Sequence, residues 1–200
     1  MQKMSISDRV LLFLTALLAS FQVMGGIEGL GVKAISSYTV GFGALLLAAI
    51  LMAIMGFEVL ESPFVVIVST VIPLSIAMGL VSSYFPLLEI PFLIFTILGL
   101  IAVISTRFYW KKLATFSIIL VHGIAGLIIF ILPISLSLSK VAPLSFTIVG
   151  VGGGLIGIGG VLLSFLKVGK PLLSAEKVHG VLPGLLFIVT LLFVIGFMFV

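Results

Sequence analysis

The two histidines of the chain, His122 and His179, share a local pattern that could do chemistry. Each stands in a Val-His-Gly tripeptide, and a further glycine follows each, at Gly126 and Gly184. An imidazole can carry a proton or bind a metal or haem iron. Two imidazoles from two helices can hold one haem, and glycines beside them leave room for a flat ligand. One interpretation is therefore a haem site with His122 and His179 as axial ligands.

Other reactive groups are scarce. The chain has no cysteine, which excludes disulfides, thiolate nucleophiles, iron–sulfur ligation and cysteine-based zinc sites. The sequence also lacks a His-x-x-x-His pair and shows no Ser/His catalytic dyad. These absences argue against an intramembrane enzyme. No cofactor is indicated, except haem under the bis-histidine interpretation.

Composition places these residues in a membrane. Hydrophobic residues make up 62% of the 200 residues, and charged residues only 8%. Average soluble domains carry about 25% charged residues. So few charges cannot cover the surface of a soluble protein of this length, and the composition predicts an integral membrane protein.

The apolar segments are long enough to span a bilayer. A spanning helix needs about 20 mainly apolar residues, and the chain contains seven such segments with short connections. The sequence thus predicts an all-α, polytopic bundle of seven transmembrane helices, forming a single domain over residues 1–200. Cleavage of the first segment as a signal peptide would leave six helices, and we expect it to be retained. The predicted segments are 10–27, 38–57, 63–83, 86 or 91 to 106, 113–136, 143–166, and from between 171 and 178 to the C-terminus.

Basic residues orient this bundle. When the connections alternate between two sides, eight of the ten Lys and Arg residues fall on one side. Basic residues stay cytoplasmic, so we expect a cytoplasmic N-terminus and an external C-terminus, in the cell membrane. Lys33 and Lys140 fall on the external side, and the cytoplasmic set is Lys3, Arg9, Arg107, Lys111, Lys112, Lys167, Lys170 and Lys177.

Depth separates the two histidines. His122 lies ten residues after Lys112, roughly 15 Å deep and close to the bilayer midplane. A charged imidazolium is costly at that depth, so we expect His122 to be neutral. His179 lies only about 3 Å deep if the last helix enters at Lys177, and about 12 Å deep if it enters at Pro171. Only the second arrangement lets the two histidines face one ligand.

Three further residues are candidates for a substrate pathway or its mouth. Glu28 and Glu89 fall on the same predicted side and together could attract cations there. Ser75, close to the proline of the third segment, is a weaker candidate for a polar path. The ordinary interpretation of the carboxylates is a solvated helix end, and His122 remains the central candidate.

The sixth segment is rich in glycine and predicts close helix packing. Its small residues recur at intervals of three and four, which bring them to one face of a helix. Such a face lets a partner backbone approach closely. An unwound segment that exposes carbonyls to a substrate is the functional alternative. The packing residues are Gly150, Gly153, Gly154, Gly157 and Gly160.

Three functional classes remain open. We expect a small transporter or permease with a midplane site near His122, because prolines at 73, 133 and 183 should kink three helices around it. The alternatives are a haem-binding electron-transfer subunit and a structural or accessory subunit of a membrane complex. The lipid bilayer is the expected partner, and a homo-oligomer or a membrane complex is compatible with the chain. Nucleic acid is not expected, because no basic run exceeds Lys111-Lys112.

Overall fold

The fold was analysed in a computed structural model. It describes residues 4–27, 29–167 and 171–198, without the side chains of Ser164 and Lys167. The chain is 89% helical, and the described residues contain no strand. Seven helices are long and apolar enough to cross a membrane. The predicted all-α, multi-pass fold is therefore confirmed.

The seven helices are joined by short connections, four of which contain a 3-10 turn. In chain order the helices are α1 (Ile6–Gly25), α2 (Val32–Met55), α3 (Pro63–Tyr84), α4 (Glu89–Phe108), α5 (Ala114–Leu138), α6 (Thr147–Lys167) and α7 (Ala175–Phe197).

Capping residues explain where several helices begin. The Ser5 hydroxyl accepts the Asp8 N–H, and the Asp8 carboxylate accepts the Ser5 N–H, so α1 starts earlier than its apolar stretch. Ser174 caps α7, which places the first residue of that helix between the two predicted limits. Helix α2 starts six residues before the predicted segment, because its first turns are polar and hydropathy alone misses them.

Six of the helices form a closed ring. In ring order they are α1, α2, α3, α5, α6 and α7, and α7 packs back against α1. Helix α4 lies outside the ring, against α3 and α5. The main core lies inside the ring, where apolar side chains of α2, α3, α5 and α7 meet.

The two ends of the bundle differ in charge. The basic end carries Arg9, Arg107, Lys111, Lys112 and Lys177. There, the Arg9 guanidinium donates to the Ala53 carbonyl and, at 3.1 Å, to the Ile54 carbonyl. A cation at the last turn of α2 complements the helix dipole, so this contact ties α1 to α2. The other end, with Lys33, Glu89 and Lys140, is called the opposite end below.

Candidate functional site

Helices α5 and α6 approach each other closely near the opposite end. A Cβ atom at Gly153 would lie 2.7 Å from Ile129 Cγ2 and 2.9 Å from the Ile129 carbonyl carbon. A Cβ atom at Gly150 would lie 2.7 Å from the Phe130 carbonyl oxygen, and one at Gly154 would lie 3.0 Å from the Phe130 ring. Glycine is therefore needed at these positions for the two backbones to meet.

Pro133 accounts for this close approach. It lies inside α5 and has no N–H to donate to the carbonyl of Ile129, four residues earlier. That carbonyl oxygen would lie 3.0 Å from a Cβ atom at Gly153. It therefore points at the glycine face of α6, where Cα–H groups can contact it. The part of α5 around Pro133 and the glycines of α6 are thus complementary.

Towards the basic end the same two helices diverge. Gly157 and Gly160 lie on the same face of α6 as Gly153, one and two turns further along. A Cβ atom at either position would meet nothing within 4 Å, and the same holds at Gly123 and Gly126 of α5. The close contacts predicted along all five glycines of α6 are thus limited to Gly150, Gly153 and Gly154. Gly157 and Gly123 are exposed, whereas Gly153 is buried, so the seam between α5 and α6 is open to the surface of the bundle at this level. This opening is called the α5–α6 gap below.

Helix α7, unlike α5, contacts α6 closely towards the basic end as well. A Cβ atom at Gly159 would lie 2.5 Å from Leu185 Cδ2, and one at Gly152 would lie 2.9 Å from Phe193 Cε1. These glycines lie on the α7-facing side of α6, in both halves of the helix. Helices α6 and α7 therefore pack closely in both halves, whereas the closest approach of α5 to α6 is near the opposite end.

His122 lies at the level of the α5–α6 gap. It is eight residues after Ala114, the first residue of α5, and therefore about 12 Å along the helix. Ile129 is two helical turns further and contacts α6, which places His122 on the α6-facing side of α5. The His122 residue is partly buried. The structure thus puts the deep histidine beside the gap, in the half of the bundle nearer the basic end.

The interior of the ring is packed in both halves: a smaller apolar cluster that includes Leu12, Met52 and Leu182 lies towards the basic end, and aromatic side chains fill the half towards the opposite end. The Phe197 ring centroid lies 4.7 Å from that of Tyr38 and 5.9 Å from that of Phe146. Phe42 and Phe193 complete this aromatic cluster, with their centroids 6.4 Å apart. Phe42 and Phe146 are fully buried. The cluster closes the interior towards the opposite end.

Sequence reasoning missed this cluster. Its signal was present, because Tyr38 and Phe42 are four residues apart, as are Phe193 and Phe197, and so each pair shares a helix face. What the sequence did not reveal is that α2 and α7 present these faces to the same interior.

The polar side chains inside the bundle are uncharged. The hydroxyls of Thr15, Thr70 and Thr190 are fully buried, and each donates to the carbonyl four residues earlier at 2.7–2.8 Å. Among the described residues, no Asp, Glu, Lys or Arg is buried. The interior therefore offers the chemistry of hydroxyls, backbone carbonyls, the Gln22 amide and the His122 imidazole.

The other pathway candidates lie away from the gap. The Cβ of Ser75 is 3.3 Å from the position of a Cβ atom at Gly41, which places Ser75 at the α2–α3 contact. Glu89 begins α4 and forms an ion pair with Lys33, with 2.7 Å between Oε1 and Nζ. Glu28 lies outside the described residues. The cation-attracting mouth of Glu28 and Glu89 stays a prediction, and Lys33 offsets the charge of Glu89.

His179 lies in the first turns of α7, near the basic end. Its imidazole is stacked on the Phe57 ring, with centroids 5.1 Å apart and planes 13° apart. Among the described residues, no group of three or more His, Cys, Asp or Glu could hold a metal ion. Helix α6 packs between α5 and α7, and the bis-histidine haem site stays a prediction without a supporting contact.

We expect the purified protein to show no Soret band. Helix α6 packs between the helices that carry His122 and His179, and a bis-histidine haem needs both imidazoles on one iron. An absorption spectrum after expression with haem supplied measures this directly. A Soret band that disappears in both His122→Leu and His179→Leu would instead establish the haem interpretation.

Neither a protein-family model, nor a curated protein, nor a solved structure matches the chain.

Proposed function

We propose that this multi-pass membrane protein is a small transporter or permease whose path follows the α5–α6 gap past His122. The observation that carries the proposal is the one-sided opening of the α5–α6 contact. The gap lies towards the basic end, while the aromatic cluster fills the interior towards the opposite end. A transporter closed at one end and open at the other has this asymmetry.

The unequal contacts of α6 with α7 and with α5 support a movement of α5 relative to the other two helices. Helices α6 and α7 are packed together through Gly152 and Gly159, whereas α5 contacts α6 mainly near Pro133. A proline kink is a place where a helix can bend. Bending α5 at this point would close the gap, and a shift of Phe193 and Phe197 with α7 would open the aromatic cluster. The two halves of the path would then open alternately.

The charge of the interior suggests the substrate class. A permeating ion would find no opposite charge among the described interior side chains. A neutral imidazole has one donor and one acceptor, which suits a small uncharged solute or the relay of a proton. We therefore propose a small neutral substrate, with His122 as the residue that contacts it.

The proposed orientation places the basic end in the cytoplasm. We expect a reporter fused after Val200 to be external and a reporter inserted between residues 167 and 170 to be cytoplasmic, because eight of ten basic residues fall on that side. Protease or labelling access in intact cells measures both. Finding the two reporters on one side would contradict the orientation.

Flux through reconstituted protein tests the proposed function. Liposomes carrying the protein and a trapped pH-sensitive dye are exposed first to an acid jump and then to an osmotic gradient of glycerol or urea. We expect at least one of these fluxes to exceed that of protein-free liposomes. Equality with protein-free liposomes for protons, glycerol and urea would contradict the proposal and favour an accessory subunit.

A further inference from the structure

An apolar groove lies on the outside of the ring, at the place where α4 packs on it. It has a volume of about 310 Å³ and is bounded by three helices and by the turn that precedes α4. All of its lining side chains are apolar, and they belong to segments long enough to span the membrane. The lining includes Val81, Phe85, Leu88, Phe92, Ile128 and Leu132.

A polar cavity of about 280 Å³ lies beside this groove at the opposite end. It is lined by residues 29–34 and by Ser82 and Ser83 of α3. Ser82 directly follows Val81, a groove residue, so the two spaces lie on neighbouring faces of α3. Lys33 is the charged residue among its lining side chains.

The Lys33 ammonium lies where the two spaces meet. Lys33 lines the polar cavity, and its Nζ is 2.7 Å from Oε1 of Glu89, whose neighbour Leu88 lines the groove. The Lys33 side chain is 76% exposed, whereas that of Glu89 is only 16% exposed. Lys33 can therefore contact a second anion without giving up Glu89, because an ammonium has three donors.

We propose that this junction binds one phospholipid, with an acyl chain in the groove and the phosphate at Lys33. The groove is open to the outside of the bundle, so part of an acyl chain can lie along it without being enclosed. An acyl chain is narrow, and lipid acyl chains surround this part of the protein in a membrane. A lysine near the headgroup level attracts anionic lipid phosphate. The site lies outside the ring and does not depend on the transport path.

Two pairs of variants separate the contributions of the acyl chain and of the phosphate to phospholipid binding. Leu132→Trp fills the groove, and Ile131→Trp adds the same bulk to the neighbouring, lipid-exposed position. Lys33→Gln removes the cation at the junction, and Lys140→Gln removes the other described cation of the opposite end. Each control changes composition equally without touching the proposed site.

Native mass spectrometry of delipidated protein, titrated with dioleoylphosphatidylglycerol, tests the proposal. We expect the wild type to bind one phospholipid, and Lys33→Gln to bind it about fivefold more weakly. Leu132→Trp should weaken binding at least as much, and both controls should bind as the wild type does. Dioleoylglycerol, which lacks the phosphate, and inorganic phosphate, which lacks the chains, should both bind more weakly than the phospholipid.

Three results would overturn the proposal. One is binding of phospholipid by Leu132→Trp and Lys33→Gln as tight as by their controls. Another is binding of dioleoylglycerol as tight as that of phospholipid, which would remove the role of Lys33. The third is binding of inorganic phosphate as tight as that of phospholipid, which would identify a site for a soluble anion.

Discussion

His122→Leu is expected to abolish flux in reconstituted liposomes while the protein still folds and inserts. Leucine is similar in bulk but can neither donate nor accept a hydrogen bond, and the interior has no other titratable group beside the α5–α6 gap among its described residues. An interhelical hydrogen bond in a membrane contributes about 0.6 kcal/mol on average, so the cost in stability should be about 1 kcal/mol or less. His122→Gln should also lose flux if the imidazole itself carries a proton or orients the substrate.

The control for this prediction is Ile119→Leu, a change on the exposed side of α5. It should leave both flux and stability unchanged. Full flux in His122→Leu would remove His122 from the path and leave the accessory-subunit interpretation. The assay uses whichever of the proton, glycerol or urea fluxes exceeds that of protein-free liposomes in the wild type.

Gly153→Leu is expected to prevent α5 and α6 from packing, whereas Gly157→Leu should be tolerated. Even the Cβ of Gly153→Ala would lie 2.9 Å from a backbone atom of Ile129, and overpacking of this kind typically costs 1–3 kcal/mol. Leucine adds further bulk against the same backbone, so we expect a larger loss. A Cβ atom at Gly157 would meet nothing within 4 Å, so Gly157→Ala should not destabilise the bundle and should stabilise the helix by about 0.5–1 kcal/mol.

Denaturation by SDS in mixed micelles, followed by circular dichroism, gives the free energy of unfolding for these variants. The two glycines are a matched pair, one turn apart on one face of α6. Equal destabilisation by leucine at both positions would mean that α5 and α6 pack along their whole length. There would then be no α5–α6 gap.

The membrane-spanning helices could be predicted from this sequence because the physical requirement for a spanning segment is simple. A spanning segment must be about 20 residues long and apolar, and the seven helices meet that requirement. The start of α2 was predicted too late because the polar turns around Lys33 precede its apolar part. Pro73, Pro133 and Pro183 lie inside α3, α5 and α7 as expected.

The candidate site could be predicted only in part. The depth of His122 follows from counting residues along a helix. The divergence of α5 from α6 does not, because Gly153 and Gly157 are identical residues on one face of a helix. Their difference depends on the direction in which Pro133 kinks α5. The aromatic cluster likewise depends on α2 and α7 facing the same interior, and no local sequence pattern predicts that arrangement.

Thiol reactivity at Gly157 tests the central claim most directly, because it asks whether the α5–α6 gap holds water. The chain has no cysteine, so Gly157→Cys reports on this position alone, and the maleimide reaction needs a hydrated thiolate. Ile158→Cys, next to it and 61% exposed on the surface of the bundle, is the lipid-facing control. We expect a membrane-impermeant maleimide to label Gly157→Cys when it is added at the basic end, and not when it is added at the opposite end. Ile158→Cys should stay unlabelled from both ends. Failure to label Gly157→Cys from either end would mean that lipid fills the gap and would contradict a transport path there.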